Sequence, residues 1–455
     1  MENQPNYTYD LPENYYFGGG GGTYTPPLAI TALILAVILM MALPRKYAFV
    51  PFLLAGLLIP QNVVLVISGL NFNVNRLLLL AGLTRLLACG EWYPDSMNSL
   101  DKVFIYYTLV ESVAYILLWR QVGAIINRSG FLFSTLGTYL LLRSWIRTKE
   151  DVIRVIMVLA LVVIVIAPLM WREHISQHND FSLVGAPELS GLRNERVRAQ
   201  GPFAHPIIAG TFGVVLVPLF IGLCWYRPRT WLIAAVGVAS STVMMISSSS
   251  STPVMSLPAG ILALSMWPLR KKMRVVRRGI VVALIGTQLA MKAPIWFLID
   301  RVSGVLGGSG WHRAMLIDNF VRHFFDWFLI GTNDNPNWGW SMWDVDNAFV
   351  GAGLNGGFLG FILFLAIFVY GYRMIGSAIN AQEDSRRDAR LIWAIGSALF
   401  ANSIAFFGIV YFDQSVIAWY ALLVMISVVA TLAMEEQNPR LEPGVADMVA
   451  TASTV

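Results

Sequence analysis

Residues 270–278 read Arg-Lys-Lys-Met-Arg-Val-Val-Arg-Arg, and apolar sequence lies on both sides of this basic cluster. Apolar runs long enough to cross about 30 Å of hydrocarbon recur from Pro27 to the neighbourhood of Met434, and we count roughly 12 to 13 of them. Hydrophobic residues make up 56% of the chain and charged residues only 13%, against roughly 25% charged in a soluble domain. The sequence therefore predicts an all-α fold, a polytopic membrane helical bundle of residues 27–434.

The basic cluster 270–278 also determines the expected orientation of the bundle. Because cytoplasmic loops carry an excess of Lys and Arg, we expect this cluster on the cytoplasmic side. Counting spans from it places three other basic stretches on the same side, namely 143–154, 227–229 and 373–390. The same count places loops 172–205 and 299–346 together on the outer, periplasmic side, where arginine-rich sequence requires a separate reason. The count does not assign a side to the N-terminus.

The two ends of the chain have the composition of tails. Residues 1–26 include a run of five glycines, which favours a flexible N-terminal tail, and residues 435–455 are polar, which favours a disordered C-terminal tail. The net charge of +5 does not indicate a nucleic-acid partner, since the cations lie in short loops where they set membrane orientation. Cys89 and Cys224 are far apart in sequence and predict neither a disulfide nor a metal site.

The smaller outer loop is rich in arginine immediately before an apolar run. Residues 193–205 read Arg-Asn-Glu-Arg-Val-Arg-Ala-Gln-Gly-Pro-Phe-Ala-His, and Pro206 is expected in the first turn of the next helix. Guanidinium groups beside a helix N-terminus form a favourable phosphate or pyrophosphate site, because fixed donors and the helix dipole both favour negative charge. The candidate anion-binding residues of this loop are Arg193, Arg196, Arg198 and His205. Contacts of the arginines with lipid headgroups or with acidic neighbours such as Glu195 are the alternative.

The larger outer loop combines cations with an aromatic repeat. Apolar residues recur at helical spacing from Trp311 to Phe328, which predicts an amphipathic helix lying on the membrane surface. The candidate substrate-binding residues of this loop are Arg301, His312, Arg313 and Arg322. An interfacial helix that contacts no substrate is the alternative. The tryptophans at 338, 340 and 343 suit either a membrane-interface belt or stacking against sugar rings.

Acidic and amide side chains stand where the larger loop meets the next apolar run. Asp344, Asp346 and Asn347 precede that run directly, and Asn347 is a candidate substrate-binding residue. A carboxylate there can take a proton from a sugar hydroxyl that reaches hydrogen-bonding distance. Because Asp and Asn are also favoured at helix N-termini, helix capping is the alternative for Asp346 and Asn347.

Three short motifs follow one another in the second half of the chain. They are 198–206, Arg-Ala-Gln-Gly-Pro-Phe-Ala-His-Pro; 310–313, Gly-Trp-His-Arg, with 326–331, Asp-Trp-Phe-Leu-Ile-Gly; and 346–349, Asp-Asn-Ala-Phe, with the glycine-rich stretch 356–360. In this order they resemble the O-antigen ligase and O-antigen polymerase family, integral membrane glycosyltransferases that use undecaprenyl-pyrophosphate-linked glycans. The family's corresponding signatures are Arg-x-x-Gly-x-Phe-x-His-Pro, Gly-Arg with Pro-Leu-x-Gly, and His-Asn-x-Tyr-Leu with a glycine-rich helix.

The resemblance implies metal-independent, inverting glycosyl transfer at the periplasmic face of the bacterial inner membrane, without a cofactor. Arg198 and Arg313 would hold the pyrophosphate leaving group, Asp346 would act as general base toward the incoming hydroxyl, and His205 is the reserve candidate for that base. The implied partners are the undecaprenyl-pyrophosphate-linked oligosaccharide, membrane lipid, and the chain-length regulator and flippase of the same pathway.

Two departures from the family's pattern favour one of its activities. Asp346 stands where ligases usually have His, and residues 249–253, Ser-Ser-Ser-Thr-Pro, lack the Arg of the family's Ser-x-Ser-Arg turn. We therefore expect polymerisation of exopolysaccharide, capsule or O-antigen repeat units rather than ligation to the lipid A core. A transporter or flippase of lipid-linked sugars is the alternative from another class, for which Glu111 and Lys292 are intramembrane candidates.

Overall fold

The computed structural model describes residues 22–93, 97–193, 195–305, 310–382 and 385–437. Of the two predicted tails, residues 1–21 and 438–455 lie outside the described residues. Within the described ranges the chain forms sixteen α-helices: α1 (Pro27–Ala42), α2 (Arg45–Leu58), α3 (Val74–Ala88), α4 (Ser99–Trp119), α5 (Val122–Trp145), α6 (Lys149–Ser176), α7 (Pro206–Tyr226), α8 (Trp231–Ser247), α9 (Ser251–Ser265), α10 (Met273–Ala290), α11 (Leu298–Val305), α12 (Gly310–Arg322), α13 (Phe324–Trp327), α14 (Ala348–Ala381), α15 (Arg386–Ala405) and α16 (Val416–Gln437).

The helices have the length and composition of a multi-pass membrane bundle, as the sequence predicts. In the described residues, α4, α6, α7, α8 with the turn before it, α14 and α16 are long and apolar enough to cross a membrane. A seventh span results if α9 and the stretch Trp267–Ala290, which meet at a bend of 72°, are counted as one. These six or seven are fewer than the roughly 12 to 13 apolar runs of the sequence. The difference arises because α1, α2 and α3 have only 16, 14 and 15 residues, and because α5 and α15 do not have the apolar composition of a span.

Ion pairs join the helix termini on one side of the bundle, which we name the anchor end. There Lys149 at the start of α6 contacts Asp388 of α15 (3.3 Å) and Glu436 of α16 (2.9 Å). At the opposite end, which we name the site end, hydrogen bonds join the loops at Ala199–Ser247, Ala204–Asp413 and Ala348–Phe406. Ala199 and Ala204 belong to the loop 172–205, and Arg313 and Asp346 of the loop 299–346 lie at the same end, where Arg313 contacts Thr252.

The helices differ in how deeply they lie in the protein. In α7 and α16, 83% of the most apolar 18-residue segment of the helix is buried inside the protein, against 28% in α4. The bundle is therefore built around α7 and α16, and α4 lies at its periphery. The exposed apolar side chains of α4 have the chemistry that contact with lipid requires.

Residues 328–332 of the loop 299–346 pack into a break in α14. Gly357 has φ 63° and ψ −166°, which interrupts the helix. There the Phe358 amide donates to the Phe328 carbonyl, and the Thr332 amide donates to the Leu354 carbonyl, both at 2.9 Å. Gly331 (φ 89°) lies so close that a Cβ on it would be 2.0 Å from the Leu354 oxygen. Loop backbone thus satisfies helix groups that the break would leave unpaired.

The predicted amphipathic surface helix is divided and packed rather than continuous. It ends as α12 at Arg322, and α13 follows after His323. Leu316 and Phe320 of α12 pack with Trp327 and with Leu354 of α14, so the middle of the apolar face is buried against the protein, whereas Trp311 and Phe328 at its ends are exposed. The three tryptophans that follow also separate, since Trp338 is buried whereas those at 340 and 343 are exposed.

Two short antiparallel hairpins interrupt the helical architecture, and the sequence analysis predicted neither. One pairs β1 (Val64–Ile67) with β2 (Leu70–Asn73). The other, β3 (Leu192–Arg193) with β4 (Arg196–Val197), lies in the smaller outer loop and leads directly to Arg198.

Candidate functional site

Residues 200–204 of the first motif are held in place by a buried carboxylate. Glu173, fully buried in the last turns of α6, accepts hydrogen bonds from the amides of Gln200 (2.9 Å) and Gly201 (2.8 Å). It also accepts a hydrogen bond from the Ser190 hydroxyl (2.5 Å). Charge-assisted hydrogen bonds of this kind are stronger than neutral ones, so they stabilise a single conformation of the loop. Glu173 could not be assigned to the site from the sequence, since its only signal was a carboxylate at the end of an apolar run.

Asp413 and Gln414 hold the same segment from the other side. Asp413 Oδ2 accepts a hydrogen bond from the Ala204 amide (2.9 Å), and the Gln414 amide donates to the Pro202 carbonyl. Burial raises the pKa of Asp413 because desolvation disfavours its charged form, and its hydrogen bonds oppose that rise. Neither residue was predicted, because the first motif is about two hundred residues away in sequence and no local pattern links them.

Arg198 extends from this segment toward the turn between α8 and α9. Its Nη2 donates to the Ser250 hydroxyl (3.0 Å). Its Nε is buried and has no hydrogen-bond partner among the described residues. Burial, and secondarily the nearby Arg193, lowers the pKa of Arg198. A buried donor without a partner is costly, so this guanidinium is suited to an additional acceptor.

His205, the reserve candidate for the base, caps α7. Its Nδ1 accepts a hydrogen bond from the Ile207 amide (3.2 Å), and Pro206 occupies the first helical position, as expected. Burial, with Arg198 and Arg193 nearby, lowers the pKa of His205 to about 4. His205 is therefore neutral near pH 7 and a weak base, and its Nδ1 is already occupied by the cap.

Arg313 is the most deeply buried of the predicted cations, with 2% of its surface exposed. Its Nε donates to Asp346 Oδ2 (3.2 Å), and its Nη2 donates to the Thr252 hydroxyl (2.9 Å). Its Nη1 donates to the Ser251 hydroxyl (3.3 Å). The guanidinium also packs against the backbone of Gly408, where a Cβ would be 3.0 Å from Arg313 Cζ. These contacts come from three elements and hold the charge in one position.

The start of α9 connects the two arginines. Arg198 binds Ser250, and Arg313 binds the next two residues, Ser251 and Thr252. No side-chain hydrogen bond caps the N-terminus of α9. We expected the anion site at the N-terminus of α7, but His205 caps that terminus, whereas Arg198 and Arg313 bind neighbouring residues at the start of α9. The serine-rich stretch 249–253 was noticed only for the Arg that it lacks.

Asp346 faces both Arg313 and His312. Its Oδ2 accepts from Arg313, whereas its Oδ1 lies 3.6 Å from His312 Nδ1 and has no hydrogen-bond partner among the described residues. His312 Nε2 lies 2.9 Å from the Ser341 carbonyl. The interaction with Asp346 raises the pKa of His312 above its ordinary value, against the lowering effect of burial. Burial, and then the charge of Asp346, raises the pKa of Asp344.

Asn347 is engaged in helix capping, which was the alternative for this residue. Its Oδ1 accepts from the amides of Phe349 (3.0 Å) and Val350 (3.1 Å), and the side chain is almost fully buried. Because Asn347 caps α14, Asp346 is left free for the contacts with Arg313 and His312.

The remaining predicted arginines make no hydrogen bond or ion pair with Arg198, Arg313 or Asp346 in the described part of the chain, although Arg193 is close enough to Arg198 to lower its pKa. Arg193 and Arg196 face each other across the β3–β4 hairpin and are exposed. Arg322 pairs with Asp318 (2.6 Å) and is exposed, about 13 Å along α12 from Arg313 at 1.5 Å per residue. Arg301 is exposed on α11 and has no contact with Arg313 in the part of the chain that the structure describes. A count of loop arginines cannot separate these residues from Arg198 and Arg313, because only burial and partners distinguish them.

No protein-family model matches this chain, and no curated protein matches it significantly. Among the described residues, no group of three or more His, Cys, Asp or Glu side chains is arranged to hold a metal ion.

Proposed function

We propose that this protein is a membrane glycosyltransferase that polymerises, or transfers, undecaprenyl-pyrophosphate-linked oligosaccharide repeat units in exopolysaccharide, capsule or O-antigen synthesis. The observation that carries the proposal is the pair Arg198 and Arg313, which bind adjacent residues at the uncapped N-terminus of α9. Guanidinium donors and free helix amides together favour a pyrophosphate. The proposed orientation has the site end toward the periplasm of a bacterial inner membrane, because the basic stretches belong to the opposite end.

The proposed reaction is a metal-independent displacement with inversion at the anomeric carbon. The two arginines bind the pyrophosphate and stabilise the negative charge that develops as its bond to the sugar breaks. Stabilisation of developing charge by preorganised donors is usually the largest catalytic contribution. The hydroxyl of the incoming lipid-linked unit attacks from the opposite face, and the acid–base cluster around Asp346 takes its proton.

We prefer polymerisation of repeat units over ligation, because Asp346 stands at the position where ligases of the family that this chain resembles have a His. The acceptor is then a second lipid-linked oligosaccharide, and membrane lipid surrounds both substrates. A chain-length regulator and a flippase of the same pathway are the expected protein partners.

A transporter or flippase of lipid-linked sugars is the second candidate, and one buried ion pair favours it. Glu111 of α4 and Arg128 of α5 are both buried, with Oε1 and Nη1 3.6 Å apart. Ionisable groups inside a membrane protein often mark a transport pathway. Lys292, the other intramembrane candidate, is exposed in the turn after α10 and gives this alternative no support.

The deciding experiment mixes purified protein with undecaprenyl-pyrophosphate-linked repeat units and resolves the products on a gel. We expect a ladder from the wild type and from Arg322→Ala, whose arginine is exposed on the same helix as Arg313, and no ladder from Arg313→Ala. If the wild type makes no ladder but moves labelled lipid-linked sugar across a proteoliposome membrane, the protein is a transporter and the proposed glycosyltransferase activity is wrong.

A further inference from the structure

The hydrogen bond between His312 and Ser341 determines which imidazole nitrogen is free. His312 Nε2 lies 2.9 Å from the Ser341 carbonyl oxygen, which can only accept a hydrogen bond. Nε2 must therefore carry a proton, and in the neutral ring Nδ1 has the lone pair. Nδ1 is the atom that faces Asp346.

The Ser341 carbonyl is aimed by an unusual backbone conformation. Ser341 has φ 61°, in the left-handed region that non-glycine residues rarely adopt. The same carbonyl also accepts a hydrogen bond from the Asp344 amide (3.2 Å), so the turn is held from two directions. Strained residues of this kind persist where the surrounding structure fixes them, and here the result is a fixed imidazole orientation.

Asp346 divides its two oxygens between a cation and the imidazole. Oδ2 accepts from Arg313 Nε at 3.2 Å, whereas Oδ1, buried and without a hydrogen-bond partner among the described residues, lies 3.6 Å from His312 Nδ1. A proton that arrives at Nδ1 would therefore find a carboxylate oxygen beside it. Asp344 is a second acid near the ring, and Arg313 is the nearby cation.

We propose that His312 accepts the proton of the attacking hydroxyl, and that Asp346 is a positioning residue that orients the imidazole and stabilises its charged form. This inference rests on the proposed glycosyl transfer and changes the proton acceptor within it. The hydroxyl O–H bond breaks and an N–H bond forms at His312 Nδ1. The oxygen's electron pair forms the new bond to the anomeric carbon, and the pair of the broken sugar–phosphate bond leaves with the pyrophosphate.

Neither His205 nor His323 has this arrangement, and the pair of His178 with Glu188 (3.8 Å) is exposed. His205 Nδ1 is occupied by the amide of Ile207. His323 pairs with Asp326 at 2.8 Å, but both are solvent-accessible and lie at the start of α13, away from Arg313. His323→Gln is therefore a matched control, because it removes an imidazole–carboxylate pair from the same loop.

The first test requires no substrate. The chain has five histidines, so histidine-selective isotope labelling gives five imidazole signals for NMR. We expect neutral His312 as the Nε2–H tautomer, with a pKa above the ordinary value of about 6.5 that falls in Asp346→Asn. An Nδ1–H tautomer, or a titration unaffected by Asp346→Asn, would overturn the inference.

The second test measures the transfer rate against pH. His312→Gln keeps a donor for Ser341 but has no titrating base, so we expect a rate about 10²–10⁴-fold lower and no acidic limb in the profile. Asp346→Asn should retain part of the rate, with its acidic limb shifted to lower pH, and His323→Gln should match the wild type. If His312→Gln keeps the wild-type rate and acidic limb, His312 is not the base. The same conclusion follows if Asp346→Asn is inactive at every pH while His312→Gln is active.

The two tests separate failure of the inference from failure of the proposed function. A wild type that makes no product at any pH overturns glycosyl transfer, and the proton-accepting role with it, even if NMR shows the His312–Asp346 interaction. An active wild type with an unchanged His312→Gln profile overturns the inference alone. Equal melting temperatures of the variants and the wild type show that folding is not the cause.

Discussion

The anchor end and the site end both contain buried ionic groups, but they differ in whether those groups are satisfied. At the anchor end, Asp101 is fully buried and accepts hydrogen bonds from Arg143 (3.3 Å), Tyr139 (2.5 Å) and Ser427 (2.9 Å), which joins α4, α5 and α16. At the site end, Arg198 Nε and Asp346 Oδ1 have no partner among the described residues. We name the Asp101 cluster the closed network, because its polar groups are paired, and the cluster of Arg198, Arg313 and Asp346 the open network. The closed network holds helices together, whereas the unpaired groups of the open network cost stability that a ligand can restore.

The largest effect is expected from opening the closed network. Asp101→Ala leaves the buried Arg143 without its carboxylate, and breaking a buried pair in this way costs about 3–5 kcal/mol of folding free energy. Thermal unfolding in detergent measures this, while activity per folded molecule should be retained. Asp326→Ala, which breaks an exposed pair with His323, is the control and should change stability little. Equal losses in the two variants would contradict the distinction.

At the site end the expected loss is in rate. Arg313→Ala should lower the transfer rate about 10²–10³-fold, because it removes a preorganised donor from the developing charge. Arg313→Lys keeps the charge but loses the planar guanidinium whose nitrogens reach Ser251, Thr252 and Asp346. We therefore expect it to recover only part of the transfer rate. Steady-state kinetics beside Arg322→Ala measures both. A normal rate in Arg313→Ala would show that the open network does not bind the leaving group.

The inserted loop links the site end to the bundle, and Gly331 tests that link. A Cβ there meets the Leu354 oxygen at 2.0 Å and the backbone has φ 89°, so Gly331→Ala should cost about 1–3 kcal/mol and reduce activity by displacing α12. Gly376→Ala is the control, because Gly376 lies in α14 with nothing within 4 Å of its added Cβ. Unfolding and activity assays that find the two variants alike would show that the insertion does not position Arg313.

The pH dependence of the protein's stability should show that His205 is neutral in the folded state. Its folded pKa of about 4 lies below the ordinary value of about 6.5, so its contribution is present above pH 6.5 and is lost as pH falls toward 4. His205→Asn keeps a capping side chain but does not titrate, so its melting temperature should fall less over that range. Parallel pH curves for the two proteins would be inconsistent with a depressed pKa.

The smallest effect is expected from a single hydroxyl of the open network. Ser250→Ala removes the partner of Arg198 Nη2 and should weaken donor binding by about 0.5–1.5 kcal/mol, seen as a raised KM with kcat little changed. Ser265→Ala lies at the other end of α9, where the hydroxyl bonds its own helix, and should leave KM unchanged. A KM unchanged in Ser250→Ala would mean that Arg198 needs no orientation by the start of α9.

The parts of the site that could be predicted are those with a local signal. Arg198, Arg313 and Asp346 each belong to one of the three short motifs, and the structure joins Arg313 to Asp346 directly. Arg193, Arg196, Arg301 and Arg322 share the same composition, yet they are exposed away from that contact. The local signals of Glu173 and of the hydroxyls of 250–252 did not reveal their roles, and Asp413 had no local signal, since these roles depend on residues tens to hundreds of positions away.

The sequence by itself determined that this chain is a bundle of apolar helices with basic stretches at alternate loops, because hydropathy and charge act through sums over short windows. The tertiary structure decided how many helices are long enough to span a membrane, which helix N-terminus the two arginines share, and which polar atoms remain unpaired. Those properties depend on packing between distant segments. A guanidinium group becomes part of a binding site only through the particular hydroxyls, carboxylates and backbone groups that the fold places around it.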